Sequence, residues 1–244
     1  MTGTIINIVT ILVGGGLGMF FGSRIPDRLK QTVVAGMGLF TAAMGLQMFL
    51  KTNNPLIVLG SMLIGTLLGE WWKIEDRLQH LGVVLDDRFG GKPTEGEGGT
   101  AETGANSKFV RGFLITSLLY CIGPMAILGS INDGLRGDYN LLAVKSVLDG
   151  FASLAFASTL GIGVLFSSVV VFLYQGGISL LAAQLSAVLT DPMIAEMTAT
   201  GGVLLMGIAV SSLLEIKRIR VGNFLPALAI APLIVWVLAR LGIG

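Results

Sequence analysis

Leu141-Leu-Ala-Val-Lys-Ser-Val-Leu-Asp-Gly-Phe-Ala-Ser-Leu-Ala-Phe-Ala-Ser-Thr-Leu160 is an apolar run that carries two charges, Lys145 and Asp149. It is long enough to cross a bilayer, which takes about 20 residues of helix. Four residues apart, the two charges share one helix face, and Ser153 continues that face one turn deeper. A charge at bilayer depth costs about 3 kcal/mol on insertion scales and more in simulation. It persists only when paired, hydrated or turned to a protein interior. The run either crosses the membrane or folds back as a re-entrant hairpin, and that choice sets the direction of every later helix.

Basic residues decide between the two, because cytoplasmic loops carry the excess of Lys and Arg. Full crossing puts Arg24, Arg28, Lys30, Lys73, Arg77, Arg88, Lys92, Lys108, Arg111, Lys217, Arg218 and Arg220 on one side, twelve of the sixteen basic residues. Lys51, Arg136 and Arg240 fall on the other, and Lys145 lies between. A hairpin would move Lys217-Arg-Ile-Arg220 to the opposite side and break the bias. Full crossing is therefore preferred. Both termini are then external and residues 73–108 cytoplasmic, in a multi-pass protein of the cell (inner) membrane.

Composition agrees with this class. The chain of 244 residues is 53% hydrophobic and 13% charged, with mean hydropathy +0.81. Soluble domains carry about 25% charged residues. Alternating strands are absent, which argues against an outer-membrane barrel. A net charge of +1 gives no reason to expect a nucleic-acid partner. The single cysteine, Cys121, excludes an internal disulfide and reads as a packing residue. Met1-Thr-Gly-Thr lacks a basic n-region, so no cleavable signal peptide is expected.

The remaining runs fall on either side of a break. Residues 1–72 hold three: Ile5–Gly22, Gln31–Leu50 and Leu56–Trp72. Gly14, Gly18 and Gly22, and again Ser61, Gly65 and Gly69, recur every four residues and make ridges for close helix approach, within the chain or in a homo-oligomer. Trp71 and Trp72 suit an interfacial belt. Residues 73–89 mix charge with Leu78, Leu81, Val84 and Leu85, predicting an amphipathic helix on or under the bundle. Residues 90–107 are Gly-, Glu- and Thr-rich, a flexible linker. Residues 108–244 hold the fourth run (Arg111–Ile131, interrupted at Gly123-Pro124), the fifth quoted above, the sixth (Ile162–Leu185), the seventh (Glu196–Leu214) and the eighth (Asn223–Leu241). The fold is an all-α, polytopic transmembrane bundle of about eight helices, or seven if the fifth run does not cross.

The ten-residue spacing from Pro26 to Gly36 recurs from Pro192 to Gly202, with Thr32 opposite Thr198. Helices one to three and six to eight then read as an inverted repeat around a central helix pair, the plan by which secondary transporters balance two open states.

Asp149 and Lys145 lead the candidate site, as a gated binding or proton-relay centre or as a structural ion pair. Asn132, Asp133 and Asp138 form either a cation-attracting external vestibule or a plain polar turn. Gln175 either coordinates a ligand or bonds across helices, Gln47 has the same two readings, and Asn7 is expected to pair across the bundle. Glu196 is read as favouring a helix N-terminus, Glu215 as a surface partner of Lys217, and Glu70 as a partner of Lys73. His80 stands alone and is no metal site; no metal is assigned. No nucleophile motif, phosphate loop or cofactor fingerprint is present, so no catalytic residue and no cofactor is expected.

Pro124-Met-Ala-Ile-Leu-Gly-Ser-Ile-Asn-Asp-Gly-Leu135, Lys145-Ser-Val-Leu-Asp-Gly150 and Leu225-Pro-Ala-Leu228 resemble a bacterial inner-membrane family called domain of unknown function 554. The resemblance covers nearly the whole chain and implies a small multi-helix membrane protein, often described as a transporter. Asp149-Gly-Phe-Ala-Ser153 also looks like the aspartate-bearing helices of manganese exporters. These features lead to a secondary transporter or channel for a small solute or ion in the lipid bilayer, with a non-transporting scaffold or regulatory subunit as the alternative. A polar cavity reaching Asp149 would favour the first, and Asp149 closed in a salt bridge the second.

Overall fold

The computed structural model describes residues 1–22, 24–89, 108–217 and 219–242. The expected linker 90–107 lies outside the described residues. Helices α1 (Thr2–Gly22), α2 (Asp27–Phe49) and α3 (Pro55–Trp72) come first, followed by α4 (Ile74–Phe89). After the break come α5 (Lys108–Ile122), α6 (Pro124–Arg136), α7 (Asn140–Leu160), α8 (Gly163–Leu180), α9 (Ala182–Val188), α10 (Asp191–Ile208) and α11 (Ala227–Arg240). Among the described residues there is no strand. Seven stretches are long and apolar enough to span a bilayer, and the α5–α6 pair makes an eighth if taken as one bent span. The all-α polytopic bundle is the observed fold.

Local chemistry explains the boundaries. Asn54 caps α3 by accepting from the Leu56 N–H at 3.1 Å, and Pro55 occupies the first turn, where its missing N–H is harmless. Pro124 cannot continue the α5 ladder, so α6 starts afresh and the two axes bend by 62°. The quoted run 141–160 forms one unbroken helix, α7, closed by Gly161 at φ 74°. The sixth run is shorter than its hydropathy suggests, because α8 ends at Leu180 and α9 begins at Ala182. The seventh run ends as a π turn, Ala209–Leu213, and the eighth opens as a 3-10 turn, Val221–Phe224.

The glycine ridges are used within the chain. Gly14, Gly18 and Gly22 abut the backbone of Gly150, Leu154 and Ser158 in turn, so α1 and α7 run parallel at backbone contact over about two turns. On α3, Gly65 meets Ala227 and Gly69 meets Asn223, which sets α3 antiparallel to α11. Gly45 and Gly202 face each other where α2 crosses α10, also antiparallel. Gly15 lies on Leu165 and Gly176 approaches Met1, so α1 and α8 are antiparallel too.

These pairings define two faces. One carries Met1, the turn 50–54, the turn 137–139 and the start of α10. The other carries α4, the start of α5, the turn 161–162 and the segment 214–224. Two carboxylates hold the loops. Glu196, 1% exposed, accepts from the Thr52 hydroxyl (2.6 Å) and the N–H groups of Asn53 (2.7 Å) and Asn54 (3.0 Å). It thus clamps the α2–α3 turn, beyond the helix-end role expected for it. On the opposite face Glu75 accepts from the Gly222 N–H (2.7 Å), and the Asn223 side chain accepts from the Glu75 N–H (2.7 Å). Two expected surface pairs differ: Glu215 bonds Arg111 in place of Lys217, and Glu70 lies 3.7 Å from Arg220 in place of Lys73. In both cases the chain brings a remote arginine closer than the neighbour in sequence.

Candidate functional site

The site lies in the half of the bundle nearer Met1, among α1, α5, α6, α7 and α8. Its floor is apolar: Ile11 of α1, Tyr120 of α5 and Val171 of α8 pack together, all fully or nearly fully buried. One turn toward the Met1 face from Ile11 is Asn7, and one turn in the same direction from Val171 is Gln175. Small residues of α1 admit α7 at backbone distance, and this brings the polar face of α7 against Asn7.

Lys145 and Asp149 are 5% and 8% exposed and form an ion pair. Asn7 Nδ2 donates to the same carboxylate oxygen at 3.0 Å. The Lys145 ammonium also lies 5.7 Å from the centroid of the Tyr120 ring, within cation–π range. The Tyr120 hydroxyl and Ser153 Oγ are hydrogen-bonded at 2.8 Å. Ser153, one turn deeper on the same face as Asp149, is thus bonded to the tyrosine of the floor. Gln175 is fully buried, and among the described residues neither its amide oxygen nor its nitrogen has a hydrogen-bond partner. The same holds for Asn7 Oδ1, Thr4 Oγ1 and Ser130 Oγ.

Asn132, Asp133 and Asp138, read as either an external vestibule or a plain polar turn, are not brought together as one loop. Asn132 and Asp133 belong to α6, which runs on to Arg136 before the chain turns. Asp133 is 3% exposed, accepts from the Gly3 N–H at 3.0 Å, and lies 3.1 Å from the Met1 ammonium. Asp138 is exposed and accepts from the Asn140 N–H at 3.1 Å. The turn-forming residues end up inside a helix because α6 packs on α8, where Ser179 donates to the Ser130 carbonyl at 2.9 Å. Asp133 thus ties α6 to the start of α1.

Comparison with known proteins adds the family. A model of a protein family of unknown function, DUF554, matches residues 2–236. The chain belongs to the DUF554 family. DUF554 relatives include an uncharacterised membrane protein, YdfK, of Bacillus subtilis strain 168, 31% identical over all of this chain and 99% of that protein. An uncharacterised protein, YqgA, of Escherichia coli K12 is 30% identical over 94% of both chains. No solved structure matches. This DUF554 chain is a membrane protein, by its apolar helices and by the description of its Bacillus relative.

Of the residues gathered here, the sequence singles out Asp149, Lys145, Asn7 and Gln175, and does not single out Tyr120, Thr4 or Ser130. A hydroxyl in an apolar run usually bonds the carbonyl one turn back, as Thr116 does to Gly112 at 2.7 Å. Thr4 and Ser130 make no such bond among the described residues, and only the packed structure reveals that.

Proposed function

We propose that this chain is a secondary transporter or channel for a small solute or ion in the cell membrane, with Asp149 and Lys145 at the translocation centre and no catalytic role. The observation that carries the proposal is the set of unmatched polar atoms on Gln175, Asn7, Thr4 and Ser130, of which Asn7 bonds directly to a buried ion pair. Buried polar groups are nearly always hydrogen-bonded, and leaving one unmet costs about 1–3 kcal/mol. A cluster of them in one half of the bundle has the chemistry of a site that binds water, an ion or a polar solute. Asp149 then exchanges between Lys145 and its cargo.

The helix pairings fit the inverted repeat expected for helices one to three and six to eight, which would support the same reading. Each of α1, α2 and α3 lies antiparallel against one counterpart, α8, α10 and α11 respectively. The parallel pair α1–α7 has an equivalent in α5–α8, where Gly163 sits on Phe109 and Val171 beside Tyr120. An inverted repeat would relate these pairings by one pseudo-two-fold axis in the membrane plane.

A second reading, the non-transporting scaffold, is favoured by one observation: Asp149 is closed against Lys145, as a structural pair would be. Substituting Gln175→Leu separates the two. In a scaffold, replacing a buried amide that has no partner by an apolar side chain of similar size is neutral or stabilising. In a transporter it removes a ligand group. Purified protein is first screened by thermal shift against inorganic cations and polar metabolites, since a ligand of the folded state raises the midpoint. The compound found is then followed into proteoliposomes. Gln175→Leu and Asp149→Asn are each expected to abolish both its shift and its flux. A screen with no shift, together with a Gln175→Leu variant as stable as the parent or more so, would overturn transport.

A further inference from the structure

We infer that the cleft between the end of α3 and the start of α4 binds the phosphate-bearing headgroup of an anionic phospholipid. It has a volume of about 320 Å³ and is lined by Trp71, Trp72, Lys73, Asp76, Arg77 and His80. Lys73 takes a left-handed conformation (φ 51°) and turns the chain from α3 into α4. Positions 76, 77 and 80 then share one face of α4, with Lys73 at the turn that precedes it. The opposite face of α4 is occupied: Glu75 holds Gly222, and Gly82 rests on Val110 and Phe113. The cleft residues point away from the bundle and are all exposed.

Three observations select the ligand. Lys73 and Arg77, two permanent cations against the single carboxylate of Asp76, make no ion pair among the described residues. They and the indole N–H groups are donors suited to phosphate oxygens. Trp71, 78% exposed, continues a stripe of exposed residues, Leu63 and Leu67, at four-residue spacing along α3. That stripe faces lipid, so acyl chains can lie along it while the headgroup enters the cleft. A tryptophan pair at the end of a span marks headgroup depth. Free phosphate would meet only the cations, whereas a lipid meets the cations, the indoles and the stripe together.

The test uses the full chain in a neutral detergent and follows its thermal midpoint. Phosphatidylglycerol is expected to raise it by about 3 °C near tenfold saturation, and phosphatidylcholine to leave it unchanged. A Lys73→Gln/Arg77→Gln double variant should keep the parent midpoint without lipid and lose the rise. Arg28→Gln, an exposed cation on the same face of the molecule, should keep it. The inference is overturned by an equal rise with phosphatidylcholine, by an equal rise with inorganic phosphate alone, or by a double variant that responds like the parent. Should the double variant prove unstable, quenching of Trp71 and Trp72 by brominated phosphatidylglycerol, read in a Trp236→Phe background, decides the matter. Quenching stronger than by brominated phosphatidylcholine supports the site, and equal quenching removes it.

Discussion

Lys145 and Asp149 neutralise each other, but each was stripped of water to do so. The desolvation of two ions is often larger than their attraction, so replacing a buried pair with apolar groups is commonly neutral or better. Removing one partner is different, because the other charge is left buried alone. Lys145→Met is therefore expected to destabilise by about 3–5 kcal/mol, and the double change Lys145→Met/Asp149→Leu to recover most of that loss. Unfolding in detergent, followed by intrinsic fluorescence, measures both. A double variant as unstable as the single one would mean that Asn7 and Tyr120 depend on the pair for their own placement. If the double variant is stable, the charges are dispensable for folding, and their presence needs a functional cause. The sequence already carried this much: two charges four residues apart in an apolar run had to face inward. It could not show that Asn7, 142 positions away from Asp149, completes the carboxylate's shell, because that depends on which helix lies alongside α7.

At the scale of the element, α1 and α7 are held by the absence of side chains. A methyl group at Gly14 or Gly18 would run into the backbone of Gly150 or Leu154, which cannot give way as a flexible side chain can. Gly18→Val is expected to separate the helices, with loss of folded protein on size exclusion. Gly16→Ala, where nothing lies within 4 Å, should be neutral or slightly stabilising because alanine is the better helix former. Equal tolerance of the two changes would show that the ridge is not what joins the pair. Glycine spacing made the ridge legible in the sequence, but its partner was not, since four-residue periodicity names a face and no neighbour. Helix ends were legible where chemistry marks them, at Asn54-Pro55, Pro124 and Gly161. They were illegible at Leu181, where an apolar sequence runs through a break, and at Asn132-Asp133-Gly134, where good turn residues sit inside α6. Packing against α8 outweighs turn propensity there.

For the whole molecule, the helix directions divide the chain into a Met1 face and an α4 face, but packing alone gives no reason for either to be cytoplasmic. Charge supplies one. Arg24, Arg28, Lys30, Lys73, Arg77, Arg88, Lys108, Arg111, Lys217 and Arg220 belong to the α4 face, while Lys51, Arg136 and Arg240 belong to the other. Basic residues near span ends are retained on the cytoplasmic side, so the α4 face should be internal. The single native cysteine makes this measurable: Cys121→Ala gives a background without thiols, since no other cysteine is present. Lys51 and Arg88 are both exposed and lie on opposite faces. In spheroplasts, a membrane-impermeant maleimide should label Lys51→Cys readily and Arg88→Cys only after permeabilisation. The reverse pattern would place α4 and its cleft outside, setting the charge bias aside as a guide for this chain. Labelling of both sites in intact spheroplasts would mean a mixed population. A bias of ten charges against three is what the two orientations would then fail to distinguish.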